Sequence, residues 1–167
     1  MTDTGEDVLR APLTVEFPVS RTVGPAISAF LTGLREGVVV GIRTADGRVM
    51  VPPVEYDPVT SEELDELVQV GEAGEVRSWT WVNEPREEHP VDRPFAWALI
   101  ALDGADTTML HAVDAGDHAS MSTGMRVAIR WAGDRQGHIR DIECFVPGEG
   151  EPAGPGLRGP NAEEVAD

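Results

Sequence analysis

A chain of 167 residues makes one domain, or one domain with small appendages, and its 41% hydrophobic content is enough to fill a core. Its formal net charge is −17 and every basic residue is an arginine, which argues against nucleic acid and anionic membrane surfaces as partners. The single cysteine, Cys144, rules out an internal disulfide framework and a cysteine-based zinc cluster; no run approaches the ~18 apolar residues of a membrane span, and the acidic N-terminus has no apolar signal core, so the cytoplasm is the expected location.

Residues 1–24 read as an N-terminal arm. Within it Leu13, Val15, Phe17 and Val19 alternate, and Pro18 restricts the segment to an edge strand or an extended arm. Pro25 suits a first helical turn and Gly37 a helix end. Between them Ile27, Phe30, Leu31 and Leu34 fall on one helical stripe, which either packs onto the domain or docks onto another subunit. Val38–Ile42 is a short apolar strand, residues 45–48 (ADGR) a hairpin turn, and Val49–Val51 the return strand, ended by Pro52-Pro53. A turn-rich connection follows to residue 63.

Leu67–Asn83 reads as two strand segments with an interruption carrying Gly71 and Gly74, either the long, bent start of a barrel or an ordinary antiparallel sheet strand. Simple alternation places Val76, Ser78, Thr80 and Val82 on one face and Arg77, Trp79, Trp81 and Asn83 on the other. The aromatic face is then either covered within the fold or turned to a partner. A polar, Pro-rich loop spans 83–94. Phe95–Leu102 is apolar on both faces, as in a well-buried strand. Thr107–Val113, Met125–Trp131 and Ile139–Val146 complete the set, and residues 148–167 form an acidic Gly/Pro-rich tail expected to be mobile. The pattern is mainly β: a five-stranded barrel preceded by a helix and a small hairpin unit.

Catalytic signals are weak. His89 and His138 fall in turns, and His111 lies in a strand as a packed core residue. Asp114, Asp117 and His118 offer ligands for at most a weak metal site, with nothing to complete the set. Ser120 and Ser122 near His118 match no nucleophile motif, Cys144 reads as a buried structural thiol, and Glu62-Glu63 and Glu87-Glu88 as solvated pairs. No phosphate-binding glycine loop is present, and a nucleic-acid-binding barrel would need cations beside Trp79 and Trp81.

From Gly24 to Pro147 the order of segments resembles the zinc-ribbon/OB-fold family of acyl-CoA-associated proteins, small subunits that accompany thiolase-fold enzymes. The segments are FLTGLREG, RTADGRVMVPP, DPVT, GEVRSWTWV, PFAWALIALDG, TGMRV and FVPG. The resemblance implies a helix plus degenerate ribbon hairpin over 25–63 and an OB-fold barrel over 64–147. Aligned on Pro52-Pro53 and Gly47, the family's four zinc-ligating cysteines fall at Arg43, Asp46, Asp57 and Thr60. Arginine cannot ligate zinc, so the resemblance implies a zinc-free ribbon. Either Arg43 pairs with Asp46 or Asp57 across the old site, or these are solvated surface residues.

Metal-free relatives of this kind look most like the partner of a thiolase-fold aldolase in bacterial steroid (cholesterol-type) side-chain breakdown. The resemblance thus implies a non-catalytic accessory subunit of a retro-aldol lyase. It would have no cofactor and no catalytic residue of its own, and the acyl-CoA thioester would be bound mainly by the partner. Ile27, Phe30, Leu31, Leu34, Trp79 and Trp81 are the candidate partner contacts. The alternatives are a free-standing acyl-CoA-binding OB-fold protein and an accessory subunit of a biosynthetic thiolase. Elemental analysis of untagged protein should find no stoichiometric zinc; one tightly held equivalent would overturn the reading of Arg43, Asp46, Asp57 and Thr60.

Overall fold

The computed structural model describes residues 22–150; the alternating segment at 13–19 and the tail from 151 onward lie outside the described residues. Helix α1 spans Pro25–Glu36 and ends where Gly37 adopts a left-handed φ of 78°, with the Val38 amide donating back to the Gly33 carbonyl at 2.8 Å. Its N-terminus is capped from afar: the Glu55 carboxylate accepts from the Ala26 amide at 3.1 and 3.2 Å. The face it buries is Ala26, Phe30, Gly33 and Leu34. The expected stripe is therefore rotated, with Ile27 and Leu31 half-buried on its flank.

Strands β1 (Val39–Arg43), β2 (Val49–Met50) and β3 (Leu67–Val70) form a small antiparallel sheet in the order β2-β1-β3. Leu67–Val70 was expected to open the barrel. Instead it pairs along its length with β1, from Val39↔Val70 to Ile42↔Leu67. The chain turns at Gly71 and Glu72, so the barrel begins at Ala73 rather than at residue 64. The outer edge of β2 is covered by the barrel itself. Asp106 accepts from the Val49 amide at 2.8 Å, and the Thr107 hydroxyl accepts from the Val51 amide at 2.8 Å.

The closed barrel is an OB fold. It contains β4 (Ala73–Val82), β5 (Phe95–Leu102), β6 (Thr108–Val113), β7 (Arg126–Trp131) and β8 (Ile142–Pro147) in the order β4-β5-β6-β8-β7. The segment Ile139–Asp141, expected as strand, is a 3-10 turn. His138 and Asp141 cap it reciprocally, and these local side-chain bonds compete with the ladder. One continuous core holds α1, the small sheet and the barrel together: Phe30, Leu34, Val39, Val51 and Val70 pack in the same cluster as Val76, Ile100, Val113 and Phe145.

Strand β4 departs from simple alternation. Val76 pairs with Ile100 and Ser78 with Leu99, so Arg77 is an extra, bulged residue. Beyond the bulge Trp79 and Trp81 lie on the same side as Val76, opposite the small buried Ala98 and Ala96, and pack against the core cluster half-buried. The expected split of Val76 from the two tryptophans is thus overturned by one unpaired residue. Deleting Arg77 should remove the bulge while leaving Val76↔Ile100, Ser78↔Leu99 and Trp79↔Ala98 paired, so both indoles stay on the core side and unfolding in urea stays cooperative. Arg77→Ala keeps the residue count and should stay within about 0.5 kcal/mol of the parent protein.

Candidate functional site

Of the four positions assigned to zinc ligands, Asp46, Asp57 and Thr60 line one small pocket between the two turns, and Arg43 turns away from it. Asp57 is 4% exposed and organises both turns. Its Oδ1 accepts from the Val59 and Thr60 amides at 2.8 and 2.9 Å, and its Oδ2 accepts from the Ala45 amide in the β1–β2 hairpin at 3.0 Å. The amides of Thr60, Val59 and Ala45 hold this carboxyl below the usual carboxylate range. Asp46 accepts from the Thr44 hydroxyl at 2.5 Å and the Arg48 amide at 3.3 Å. Those two bonds lower its pKa. Arg43 turns away, donating from Nε to Glu66 at 2.7 Å and from Nη1 to the Gly47 carbonyl at 2.9 Å.

Neither sequence reading describes this arrangement. Arg43 pairs with neither aspartate, and Asp57 is not solvated surface. One carboxylate, taking three amide hydrogens, ties the two turns together. Both its oxygens are engaged and no thiolate or imidazole adjoins it, so this donor set does not fit zinc. Among the described residues no group of three His, Cys, Asp or Glu side chains is placed to hold a metal ion.

A second constellation lies beside β4. The His118 ring meets Trp79 and Trp81 edge-on, with centroids 5.3 and 5.7 Å apart. Its 3-10 turn, His118–Ser120, is held by Asp117, whose Oδ1 accepts from the Ala119 amide at 2.7 Å. Asp114 accepts from Arg93 and, at 3.1 Å, from Arg130 Nη1. The three residues weighed as a weak metal site are therefore engaged elsewhere: Asp114 in an arginine pair, Asp117 in a cap, His118 against indoles. Ser120 and Ser122 are exposed beside this turn.

The remaining histidines and the cysteine are either bonded in turns or buried. His89 Nδ1 accepts from the Arg86 amide and His138 Nδ1 from the Arg140 amide, both at 3.1 Å. Cys144 is buried and its thiol is pushed up to about 11 by burial, far from a reactive thiolate. His111 is buried, as its strand position implies, with its ring against Phe145.

Of the six candidate partner contacts, Phe30 and Leu34 are 3% and 0% exposed, so the core consumes them. Ile27, Leu31, Trp79 and Trp81 keep part of their surface in solvent. Sequence reasoning missed the exposed apolar residues elsewhere: Tyr56, Val59, Leu99, Leu110 and Ile139. For Leu99 and Leu110 the signal was available, because strand alternation opposite buried neighbours puts both outside. No described helix is long and apolar enough to cross a membrane.

Residues 67–132, from β3 to β7, match the family model of the ChsH2 C-terminal OB-fold domain. No curated protein matches the chain. Two solved structures are similar in fold. One is a protein of unknown function from the DUF35 family of Sulfolobus solfataricus, 24% identical over 68% of this chain and 80% of that one, with a TM-score of 0.54. The other is described as the Ltp2-ChsH2(DUF35) aldolase, 18% identical over 77% of this chain and 98% of that one, with a TM-score of 0.57.

Because its folded pKa is depressed, the Asp57 carboxylate stabilises the fold above its unfolded pKa of about 3.9, and that contribution is lost as pH falls through the lower folded value. Asp57→Ala should lower the melting temperature clearly at pH 7. The gap between variant and parent should shrink once the pH is below both values. A gap that is constant with pH would mean that the ionised carboxylate is not what holds the turns.

Proposed function

We propose that this chain is a non-catalytic accessory subunit of an acyl-CoA aldolase, a retro-aldol carbon–carbon lyase whose active site lies on a thiolase-fold partner, acting in steroid side-chain breakdown. The observation that carries this reading is the match of residues 67–132 to the ChsH2 C-terminal OB-fold domain. A ChsH2 chain of the same fold is joined to Ltp2 in the aldolase of similar structure.

The chemistry of the described side chains supports the accessory role. Asp57, Asp114, Asp117, His89 and His138 are engaged in caps, turns and ion pairs. Cys144 is buried with a raised pKa. None of these is poised beside a nucleophile or an oxyanion donor set, which acyl or aldol chemistry requires. Under this reading the subunit binds acyl-CoA at most indirectly, and its work is to hold the partner in its active arrangement.

Ile27 and Leu31 on the α1 flank, and Trp79 and Trp81 around His118, are the proposed contacts. Aromatic anchors remove ~150–250 Å² each from water, and a few of them dominate an interface. Purified with a thiolase-fold aldolase subunit of the Ltp2 type, the protein should co-elute and support cleavage of a 3-hydroxyacyl-CoA. Trp81→Ala and Leu31→Ala should each weaken association by about 2 kcal/mol, about 30-fold, if hot spots. Melting temperatures of the isolated variants separate lost contact from lost fold. His118→Ala should leave turnover of the saturated complex within a few-fold. A loss on the order of 10³-fold with binding intact would place catalytic chemistry on this chain, and no co-elution at micromolar concentrations would remove the aldolase assignment.

A further inference from the structure

The barrel closes between β6 and β8 over a short stretch only. The two strands run parallel and meet at a single register pair, Val113↔Phe145. Toward the start of β6 they separate, because the chain before β8 is the 3-10 turn Ile139–Asp141 rather than strand. A cleft of about 310 Å³ opens there. Trp97 of β5, Leu110 of β6, Ile139 and Ile142 give it an apolar lining, and Glu88 and Arg140 stand at its margin. Ile142 is fully buried, whereas Leu110 and Ile139 are 60% and 37% exposed, so the cleft runs from core to solvent.

His111 lines the same cleft. It is 6% exposed, and its Nδ1 is buried with no hydrogen bond of ordinary geometry among the described residues, although the backbone at Ala112 and Ile139 bears on the ring. A buried polar atom without a partner costs free energy that a suitable ligand atom recovers. Burial lowers the pKa of this ring against the opposing effect of backbone hydrogen bonding at Ala112 and Ile139, and a neutral ring has one nitrogen as donor and one as acceptor.

The surroundings restrict the ligand. One arginine offset by one glutamate does not neutralise a polyanion, and the protein as a whole carries −17, so nucleic acid and the phosphates of a nucleotide are poor occupants. A volume of about 310 Å³ lies at the small end of ligand pockets, fitting a single ring or short chain. Five-stranded barrels of this topology bind ligands across the corresponding strands and loops, but through chemistry that this cleft lacks.

We propose that the β6–β8 cleft is a binding site for a neutral, fragment-sized apolar group bearing one hydroxyl or carbonyl oxygen, which hydrogen-bonds the His111 ring. The apolar walls supply the transfer free energy, and His111 supplies selectivity for an oxygen-bearing group. This site is separate from the proposed partner contacts and does not depend on the aldolase reading.

Methyl NMR of the full chain, titrated with cyclohexanol and with methylcyclohexane, tests it. Both probes should shift the Leu110 and Ile139 methyls saturably. His111→Phe should reduce the ratio of cyclohexanol to methylcyclohexane affinity by roughly 5- to 10-fold, the effect of one net hydrogen bond. Leu110→Gln, at an exposed position that leaves the core intact, should weaken both probes several-fold. Absence of saturable shifts, shifts confined to other methyls, or unchanged affinity in Leu110→Gln would overturn the site. An unchanged affinity ratio in a folded His111→Phe protein would overturn the role of the imidazole. Should His111→Phe fail to fold, the Leu110→Gln result decides alone.

Discussion

Closing five strands into a barrel requires β4 to serve two neighbours at once, and the rest of the molecule depends on how it does so. Its first residues, Ala73–Glu75, pair with β7, while Gly74–Val82 pair with β5. The two ladders crowd Gly74, where an added Cβ would lie 2.3 Å from the Ala101 carbonyl oxygen. Past this point β4 bulges at Arg77. Were Arg77 paired in regular alternation, the strand would carry Val76 inward and both tryptophans outward. With the bulge, Val76, Trp79 and Trp81 serve one side, and Ala98 and Ala96 opposite leave room for the indoles. Glu72 completes the junction by accepting from Trp131 Nε1 at 3.0 Å.

The small sheet stands on this barrel rather than on a metal. A zinc ribbon gains much of its folding free energy from its ion. Here Val39, Ile42, Val49, Val51 and Val70 are all buried, most of them in the cluster shared with the barrel. Asp106 and Thr107, in the β5–β6 turn, take up the hydrogen-bonding groups of Val49 and Val51. That turn is itself fixed by Asp103, which accepts from Nη1 and Nη2 of Arg126 of β7. With the sheet anchored from below, the outer turns need only local fixation, and the three amide bonds to Asp57 provide it.

Elements governed by neighbours in sequence were legible. Pro25 and Gly37 marked the ends of α1 correctly, and the apolar runs at 95–102 and 125–131 located β5 and β7 to within a residue or two. What failed was set by distant groups. Nothing around Arg77 announces a bulge, because the cause is registry with Leu99 and Ile100 some twenty residues on. Leu67–Val70 has the composition of a barrel strand, but β1 competes for it and wins. Glu55 gave no local sign of capping a helix that begins thirty residues earlier. Asp57 was singled out for the wrong bonds, since alignment located the position but not the amides around it. Phe30 and Leu34 fell on the right stripe, yet periodicity does not say whether a stripe meets the core or a partner.

For the proposed accessory role, charge and apolar surface divide the work. A net charge of −17 speeds encounter with a basic partner and suppresses association with other acidic proteins, but screened surface charges add little lasting affinity. Affinity has to come from desolvated apolar groups, and the fold limits which remain. Of the residues proposed as contacts, the core has consumed Phe30 and Leu34, leaving Ile27 and Leu31 on one side of α1 and the Trp79–His118–Trp81 cluster at the barrel. Ile27, Leu31 and the two indoles are half-buried, so their rotamers are already restrained by packing, and less conformational entropy is lost when a partner covers them. The bulge at Arg77 thus has a second consequence. By drawing the indoles partly into the core it orders them in advance, and by leaving part of each ring in solvent it keeps that order available for recognition.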